Sequence, residues 1–99
     1  MYNKYIDMKR FFSMEIRYSK SSLKFLAKTD KKTVDRIREV IEKLTLVPPQ
    51  GDIKAMQGYS DGRKRLRVGS FRIIYRVCSE NMIDILLVID IGNRGDIYK

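Results

Sequence analysis

The stretch that decides the fold is Gly58–Val77, which reads GYSDGRKRLRVGSFRIIYRV. It predicts two strands joined by a tight turn at Gly69–Ser70, because a two-residue loop with glycine first suits the twist of a hairpin. Since successive side chains of a strand point to opposite faces of a sheet, basic residues gather on one face. The arginines of this hairpin are Arg63, Arg65, Arg67, Arg72 and Arg76. Neighbouring guanidinium groups repel one another unless an anion lies across them, so the hairpin predicts a nucleic-acid-binding surface.

Two helices are predicted ahead of the hairpin. The first covers Lys20–Lys28, with Ser19 as its N-cap, and the second covers residues 31–46, with Thr29 or Asp30 as its N-cap. Apolar residues of the second helix recur at steps of three and four and form one stripe. These residues are Val34, Ile37, Ile41 and Leu44. The pair therefore predicts an antiparallel helical hairpin that covers one face of a sheet.

Further strands complete the predicted fold. Glu15–Tyr18 is predicted as a short strand, and Met82–Ile91, which is apolar on both faces for most of its length, as a central strand. Residues 52–58 are predicted as a loop and residues 59–62 as a turn. The order of elements predicts an α+β domain with an N-terminal helical hairpin packed on one face of a small antiparallel β-sheet (β-α-α-β-β-β). The other face is left for the arginines and the C-terminal segment.

Length, composition and charge bound the class of protein. The chain has 99 residues and a hydrophobic content of 43%, which fits one globular domain. A regular pattern begins at Met14, so we predict a single domain over residues 14–99. Residues 1–13 have no clear period and are predicted as an extension: a short helix, a disordered arm or an artefact of start-codon choice. The net charge of +9 predicts an anionic partner, namely RNA, DNA, an acidic protein or a membrane surface.

Several functions are excluded by the residue types that the chain lacks. It has no histidine, which removes Ser-His and Cys-His nucleophile pairs and the usual zinc and haem ligands. No apolar run reaches the roughly 18–20 residues that span a bilayer. The one cysteine, Cys78, cannot form an internal disulfide. We therefore predict a cytoplasmic protein with no cofactor, no metal and no membrane partner.

Three parts of the chain resemble the RelE/ParE toxin superfamily. They are the loop from Lys54 to Gly58, the hairpin RLRVGSFRIIY at residues 65–75 and the C-terminal IGNRGDIYK at residues 91–99. The order of elements over residues 14–99 is similar to that family as well. The resemblance implies a toxin of a type II toxin–antitoxin pair, held in a hetero-oligomer by a cognate acidic antitoxin. RelE-like members cleave mRNA in the ribosomal A site, whereas ParE-like members inhibit DNA gyrase.

The predicted site draws on the hairpin and on the C-terminal segment. The predicted catalytic residues are Arg65, Arg72, Arg94 and Tyr98. The predicted RNA-binding residues are Lys54, Arg63, Lys64, Arg67 and Arg76. The resemblance implies that Arg72 holds the scissile phosphate and that Arg94 and Tyr98 match the late arginine and the C-terminal tyrosine of RelE-like toxins.

Cleavage of RNA by attack of a 2′-hydroxyl requires three kinds of group in the site. It needs a base for the hydroxyl proton, cations on the phosphate and an acid at the leaving 5′-oxygen. Arginine stays charged at neutral pH, so it stabilises the phosphorane and is a poor base. Arg65, Arg72 and Arg94 are therefore predicted to clamp the phosphate. Tyr98 is the candidate base, or else a ring that stacks on a nucleobase. Lys54 and Lys64 are weaker candidates for proton transfer.

Three functions remain open from the sequence. The first is a metal-independent endoribonuclease that cuts mRNA on the ribosome and so arrests translation. The second is a ParE-like inhibitor of DNA gyrase without catalytic activity. The third is an inactive relic that binds only its antitoxin or nucleic acid.

Overall fold

The computed structural model describes residues 14–93. Its elements in chain order are β1 (Glu15–Tyr18), α1 (Lys20–Ala27), α2 (Lys31–Glu42), a 3₁₀ turn (Lys43–Thr45), β2 (Asp52–Ala55), β3 (Lys64–Val68), β4 (Phe71–Glu80) and β5 (Ile83–Asn93). Both helices pack on one face of a small sheet, which confirms the predicted α+β class. The predicted extension over residues 1–13 lies outside the described residues.

Both helices begin at predicted caps. The Ser19 hydroxyl accepts a hydrogen bond from the Ser22 amide at 3.1 Å, and an Asp30 carboxylate oxygen accepts one from the Thr33 amide at 3.1 Å. Such caps satisfy amide groups that have no partner within the helix. Helix α2 ends at Glu42 rather than near residue 46, because the chain tightens into the 3₁₀ turn ahead of the two prolines.

The strands form one five-stranded sheet in the order β1-β5-β4-β3-β2. The hairpin of β3 and β4 turns at Gly69–Ser70, as predicted, and Gly69 has a φ of +58°, a conformation that favours glycine. Strand β5 lies inside the sheet, between β1 and β4. Because β1 pairs with β5 in parallel, the sheet is mixed rather than wholly antiparallel.

Strand β2 is the main difference from the predicted elements. The sequence predicts a loop over residues 52–58, whereas Asp52–Ala55 forms an edge strand antiparallel to β3. The sequence does not reveal this strand because the segment has only one apolar residue that packs against the core, Ile53. The strand forms by pairing with β3, which follows a long turn in the chain. The extra strand matters because it brings Lys54 beside Arg65.

The core lies between the helices and one face of the sheet. Ile37 and Ile41 of α2 are fully buried against Leu66, Ile73 and other apolar residues of the strands. Tyr75 is also buried, and Phe71 packs edge-on against Phe25 with ring centroids 5.9 Å apart. Since side chains alternate along β3 and β4, the arginines between these core residues point to the opposite face.

Candidate functional site

A cavity of about 500 Å³ opens on the sheet face that the helices leave uncovered. Its lining residues are Lys54, Ala55, Met56, Gln57, Tyr59, Arg65 and Arg72. Lys54 pairs directly with Arg65 across β2 and β3, and Arg72 comes from the next strand, β4. The structure therefore brings together three of the residues that the sequence singles out, one from each of three neighbouring strands.

Arg65 is a largely buried cation in the wall of this cavity. Its side chain is only 12% exposed, and one terminal nitrogen lies 3.8 Å from a carboxylate oxygen of Asp52. The Nε atom of Arg65 is buried and has no hydrogen-bond partner. A buried donor without a partner costs about 1–3 kcal/mol, so an anionic oxygen bound in the cavity would stabilise this arrangement.

Arg67 is held by a carboxylate and does not line the cavity. Its Nε donates to Asp52 Oδ2 at 2.8 Å, and it lies directly opposite Arg72 in the β3–β4 register. Two like charges in a cross-strand pair are destabilising, and Asp52 offsets this repulsion. The predicted RNA-binding residue Arg67 thus has a structural partner at the rim of the site.

Arg63 and Arg76 share a second carboxylate. The Nε and Nη2 atoms of Arg63 donate to Asp61 at 3.1 and 2.8 Å, and Arg76 Nε lies 3.9 Å from the same side chain. The Arg63 guanidinium also stacks 4.2 Å from the centroid of the Tyr59 ring. These two predicted RNA-binding arginines therefore fix the turn at residues 59–62 rather than line the cavity.

The pKa of the Asp61 carboxyl depends on its contacts with Arg63 and Arg76. The hydrogen bond from the Arg63 side chain is the main cause that lowers the pKa of Asp61 from 3.8 to about 2, and the charge of Arg76 adds to it. A lowered pKa means that the stabilisation is complete above pH 4 and is lost as the pH falls through 2. We expect an NMR titration to give a midpoint near 2 for Asp61 and, in Arg63→Gln, a midpoint moved toward 3.8. Identical midpoints in both proteins would contradict the pairing.

Tyr59 is the cavity residue that the sequence analysis misses. It is predicted only as part of a turn, yet its ring is half exposed at the cavity and is held by Arg63. The signal was a lone aromatic residue in a polar, glycine-flanked turn next to basic strands. Exposed aromatic rings beside cations are typical of surfaces that bind unpaired nucleobases.

The remaining predicted residues do not line this cavity. Lys64 pairs with the core residue Tyr75, so it lies on the face of β3 opposite to Arg65. Arg94 and Tyr98 lie outside the described residues, and their predicted roles stay predictions. Across residues 14–93, no three metal-ligating side chains come together. No helix in that range is long and apolar enough to cross a membrane.

Comparison with known proteins identifies the family. A family model described as the ParE toxin of the type II toxin–antitoxin system parDE matches residues 16–98. The chain therefore belongs to the ParE toxin family, within the RelE/ParE superfamily that its residues resemble. It is a toxin of a type II toxin–antitoxin system. A search of curated proteins gave no match.

Solved structures agree with this assignment at the level of the fold. The archaeal RelE–RelB complex from Pyrococcus horikoshii OT3 has 24% identity and a TM-score of 0.67, over 85% of this chain and 98% of that one. The YoeB/ParE toxin from Agrobacterium tumefaciens has 25% identity and a TM-score of 0.65, over 82% and 99%. The RelBE2 toxin–antitoxin complex from Mycobacterium tuberculosis has 18% identity and a TM-score of 0.66, over 83% and 99%.

Proposed function

We propose that this toxin is a ribosome-dependent mRNA endonuclease whose site is the cavity between β2, β3 and β4. The observation that carries the proposal is the convergence of Lys54, Arg65 and Arg72 beside the exposed ring of Tyr59. Three cations from three strands in one concave space fit a phosphodiester, and the ring fits an unpaired base. The cavity thus offers the two kinds of contact that a single-stranded RNA requires.

The chemistry follows from the properties of these side chains. Arg65 and Arg72 keep their charge at neutral pH and stabilise the negative charge that develops on the phosphorane. Because both are fixed on strands rather than loops, they need little rearrangement when the transition state forms. The attacking 2′-hydroxyl must lose a proton and the leaving 5′-oxygen must gain one. Tyr59 and Lys54 are the side chains of the cavity lining that can take part in these two proton transfers, and the ammonium group of Lys54 is suited to the second. No metal ion is required by this scheme.

A test of Tyr59 separates two roles for its side chain. If the ring stacks on a base, Tyr59→Ala is expected to weaken RNA binding by roughly 5–150-fold, which corresponds to 1–3 kcal/mol. Tyr59→Phe keeps the ring and is expected to retain both binding and cleavage rate. A Phe variant that binds normally but cuts at least a hundredfold more slowly would instead assign a proton-transfer role to the hydroxyl. Binding is measured by fluorescence anisotropy with a labelled single-stranded RNA.

We further propose a cognate acidic antitoxin as the partner that silences the toxin in a hetero-oligomer. Two observations support it: the net charge of +9 and the similarity to toxins solved in toxin–antitoxin complexes. Charge complementarity of this kind raises association rates and makes binding sensitive to salt. Occupation of the cavity by antitoxin carboxylates would remove the cations that the RNA needs.

Inhibition of DNA gyrase is the second candidate function. The observation that favours it is the family model, which is named for ParE toxins. In that case the basic face would bind a protein surface, and no cleavage chemistry would be needed.

One experiment separates the two candidates. The purified toxin is added to a translating extract, and mRNA breaks are mapped by primer extension, while the same preparation is tested for inhibition of gyrase supercoiling. We expect breaks in translated mRNA and none in the same mRNA without ribosomes, with supercoiling unaffected. Intact mRNA together with blocked supercoiling would overturn the nuclease proposal in favour of the gyrase one.

A further inference from the structure

The lining of the cavity divides into a charged part and an uncharged part. Lys54, Arg65 and Arg72 belong to strands β2, β3 and β4, whereas three uncharged lining residues come from the segment that joins β2 to β3. We call these three residues, Met56, Gln57 and Tyr59, the uncharged rim. A nucleotide divides in the same way, into an anionic phosphate and an uncharged base. The cavity therefore offers a base a place that is separate from the phosphate-binding cations.

Arg63 holds the uncharged rim in place by contacts at both of its ends. Its carbonyl accepts a hydrogen bond from the Met56 amide at 3.3 Å, which continues the pairing of β2 with β3 by one residue. Its guanidinium stacks on the Tyr59 ring at 4.2 Å and donates to Asp61 at 2.8 Å. The Arg63 backbone amide donates to the same carboxylate at 3.2 Å. A rim that is fixed before a ligand arrives loses less conformational entropy on binding.

Gln57 is the member of the rim that can distinguish one base from another. Its side chain is exposed and has no hydrogen-bond partner within residues 14–93. A carboxamide provides one acceptor oxygen and an NH₂ group with two donors. Because it carries no charge, it binds a phosphate less strongly than the neighbouring cations do. The donor and the acceptor of Gln57 are therefore available to the edge of a base.

Adenine is the base that this amide fits best. Glutamine pairs with adenine through two hydrogen bonds, in which the side-chain oxygen accepts from the 6-amino group and the side-chain NH₂ donates to a ring nitrogen. Unpaired bases of RNA expose the edges on which such contacts form. Cytosine also carries an amino group next to a ring nitrogen, but its single ring covers less of the Tyr59 side chain than a purine does. Guanine presents two neighbouring acceptors, which suit arginine or lysine better.

We propose that the uncharged rim binds an unpaired adenine, with Gln57 pairing to its edge while Tyr59 stacks on its face. This inference rests on the proposed function and deepens it, because it adds a preferred base to a site whose cations bind any phosphodiester. The phosphate contacts position the strand and carry no sequence information. Gln57 then decides where along an mRNA the toxin binds most tightly.

The test compares two short RNAs that differ by one amino group. Each is a run of uridines with either adenine or unsubstituted purine at the central position, and purine lacks the 6-amino group of adenine. All sugars are 2′-O-methylated so that no 2′-hydroxyl can attack a phosphate. Fluorescence anisotropy measures binding to the wild type, to Gln57→Leu and to the control Gln50→Leu. Gln50 is also exposed but does not line the cavity.

The expected result is a preference for adenine that depends on Gln57. The wild type is expected to bind the adenine RNA roughly fivefold or more tightly than the purine RNA, the lower bound for a bidentate contact to a base. Gln57→Leu is expected to bind both RNAs alike, at the affinity of the wild type for the purine RNA, whereas Gln50→Leu keeps the wild-type ratio. Because neither group in the contact is charged, raising the KCl concentration is expected to weaken every complex and leave the ratio unchanged.

Three results would overturn the proposal. They are a wild type that binds both RNAs equally, a Gln57→Leu protein that still prefers adenine, and a preference that disappears as the KCl concentration rises. The last would mean that the preference comes from the charged residues and not from the amide.

Failure of this inference is distinguishable from failure of the proposed function, because no step of the binding assay is a cleavage. Mapped breaks in translated mRNA together with equal binding of the two RNAs would leave the nuclease and remove the adenine site. Intact mRNA together with a preference that depends on Gln57 would remove the nuclease and leave the adenine site.

Discussion

Replacing Arg72 with alanine is expected to slow mRNA cleavage on the ribosome by about 10²–10³-fold, the usual loss when one electrostatic stabiliser of a transition state is removed. Arg72 lines the cavity and lies on the central part of the sheet, one strand away from Arg65. The rate is measured in a single-turnover assay with programmed ribosomes. Translation arrest by the purified toxin is expected to fall in parallel.

Two further variants make this prediction specific. Arg72→Lys keeps the charge but loses the planar fork that binds two phosphate oxygens, so an intermediate rate is expected. Arg38→Ala removes the same charge from the exposed side of α2 and is expected to cut at the wild-type rate. Circular dichroism establishes that each variant is folded. Wild-type cleavage by a folded Arg72→Ala protein would remove this residue from the mechanism.

The largest expected effect on stability is that of Ile37→Ala. Ile37 has no exposed surface and packs from α2 against the sheet, so its truncation leaves a cavity in the core. Such substitutions lower the free energy of unfolding by about 2–5 kcal/mol, out of a total of about 5–15 kcal/mol for an ordinary domain. The free energy is measured by urea denaturation.

A matched control uses an apolar residue on the other helix. Leu23 is 54% exposed on α1, and Leu23→Ala is expected to change the free energy of unfolding by less than about 1 kcal/mol. A similar loss in both variants would mean that the helical layer does not pack through α2 as described.

Local sequence signals were sufficient for the helices and for the central hairpin. Ser19 and Asp30 are good caps next to periodic apolar residues, and Gly69–Ser70 has the chemistry of a two-residue turn. These features depend on residues that are close in the chain. Their boundaries were therefore predictable to within a few residues.

Long-range pairing was not predictable from the same signals. Strand β2 has little hydrophobic pattern and forms because β3 offers it an edge. The parallel pairing of β1 with β5 joins segments at opposite ends of the chain, so no local pattern specifies it. The parallel pairing of β1 with β5 makes the sheet mixed rather than antiparallel. Strand β2 forms one wall of the cavity.

The site was predictable in part for the same reason. Strand alternation places Arg65 on the open face, and Arg72 follows on the next strand. The partners of the other arginines depend on tertiary structure: Asp52 reaches Arg67 only through β2, and Asp61 binds Arg63 and Arg76 only because of the turn. Charge alone therefore overstated how many cations are available to RNA.

The most direct test of the central claim uses ribosomes programmed with an mRNA that carries a single 2′-deoxynucleotide before the bond that is cut. The claim is that the cavity clamps a phosphodiester while the neighbouring 2′-hydroxyl attacks it. We expect the all-ribose mRNA to be cut, leaving a 2′,3′-cyclic phosphate, and the substituted mRNA to stay intact at that bond. Equal cleavage of both mRNAs, or cleavage of neither by a folded toxin, would contradict the account.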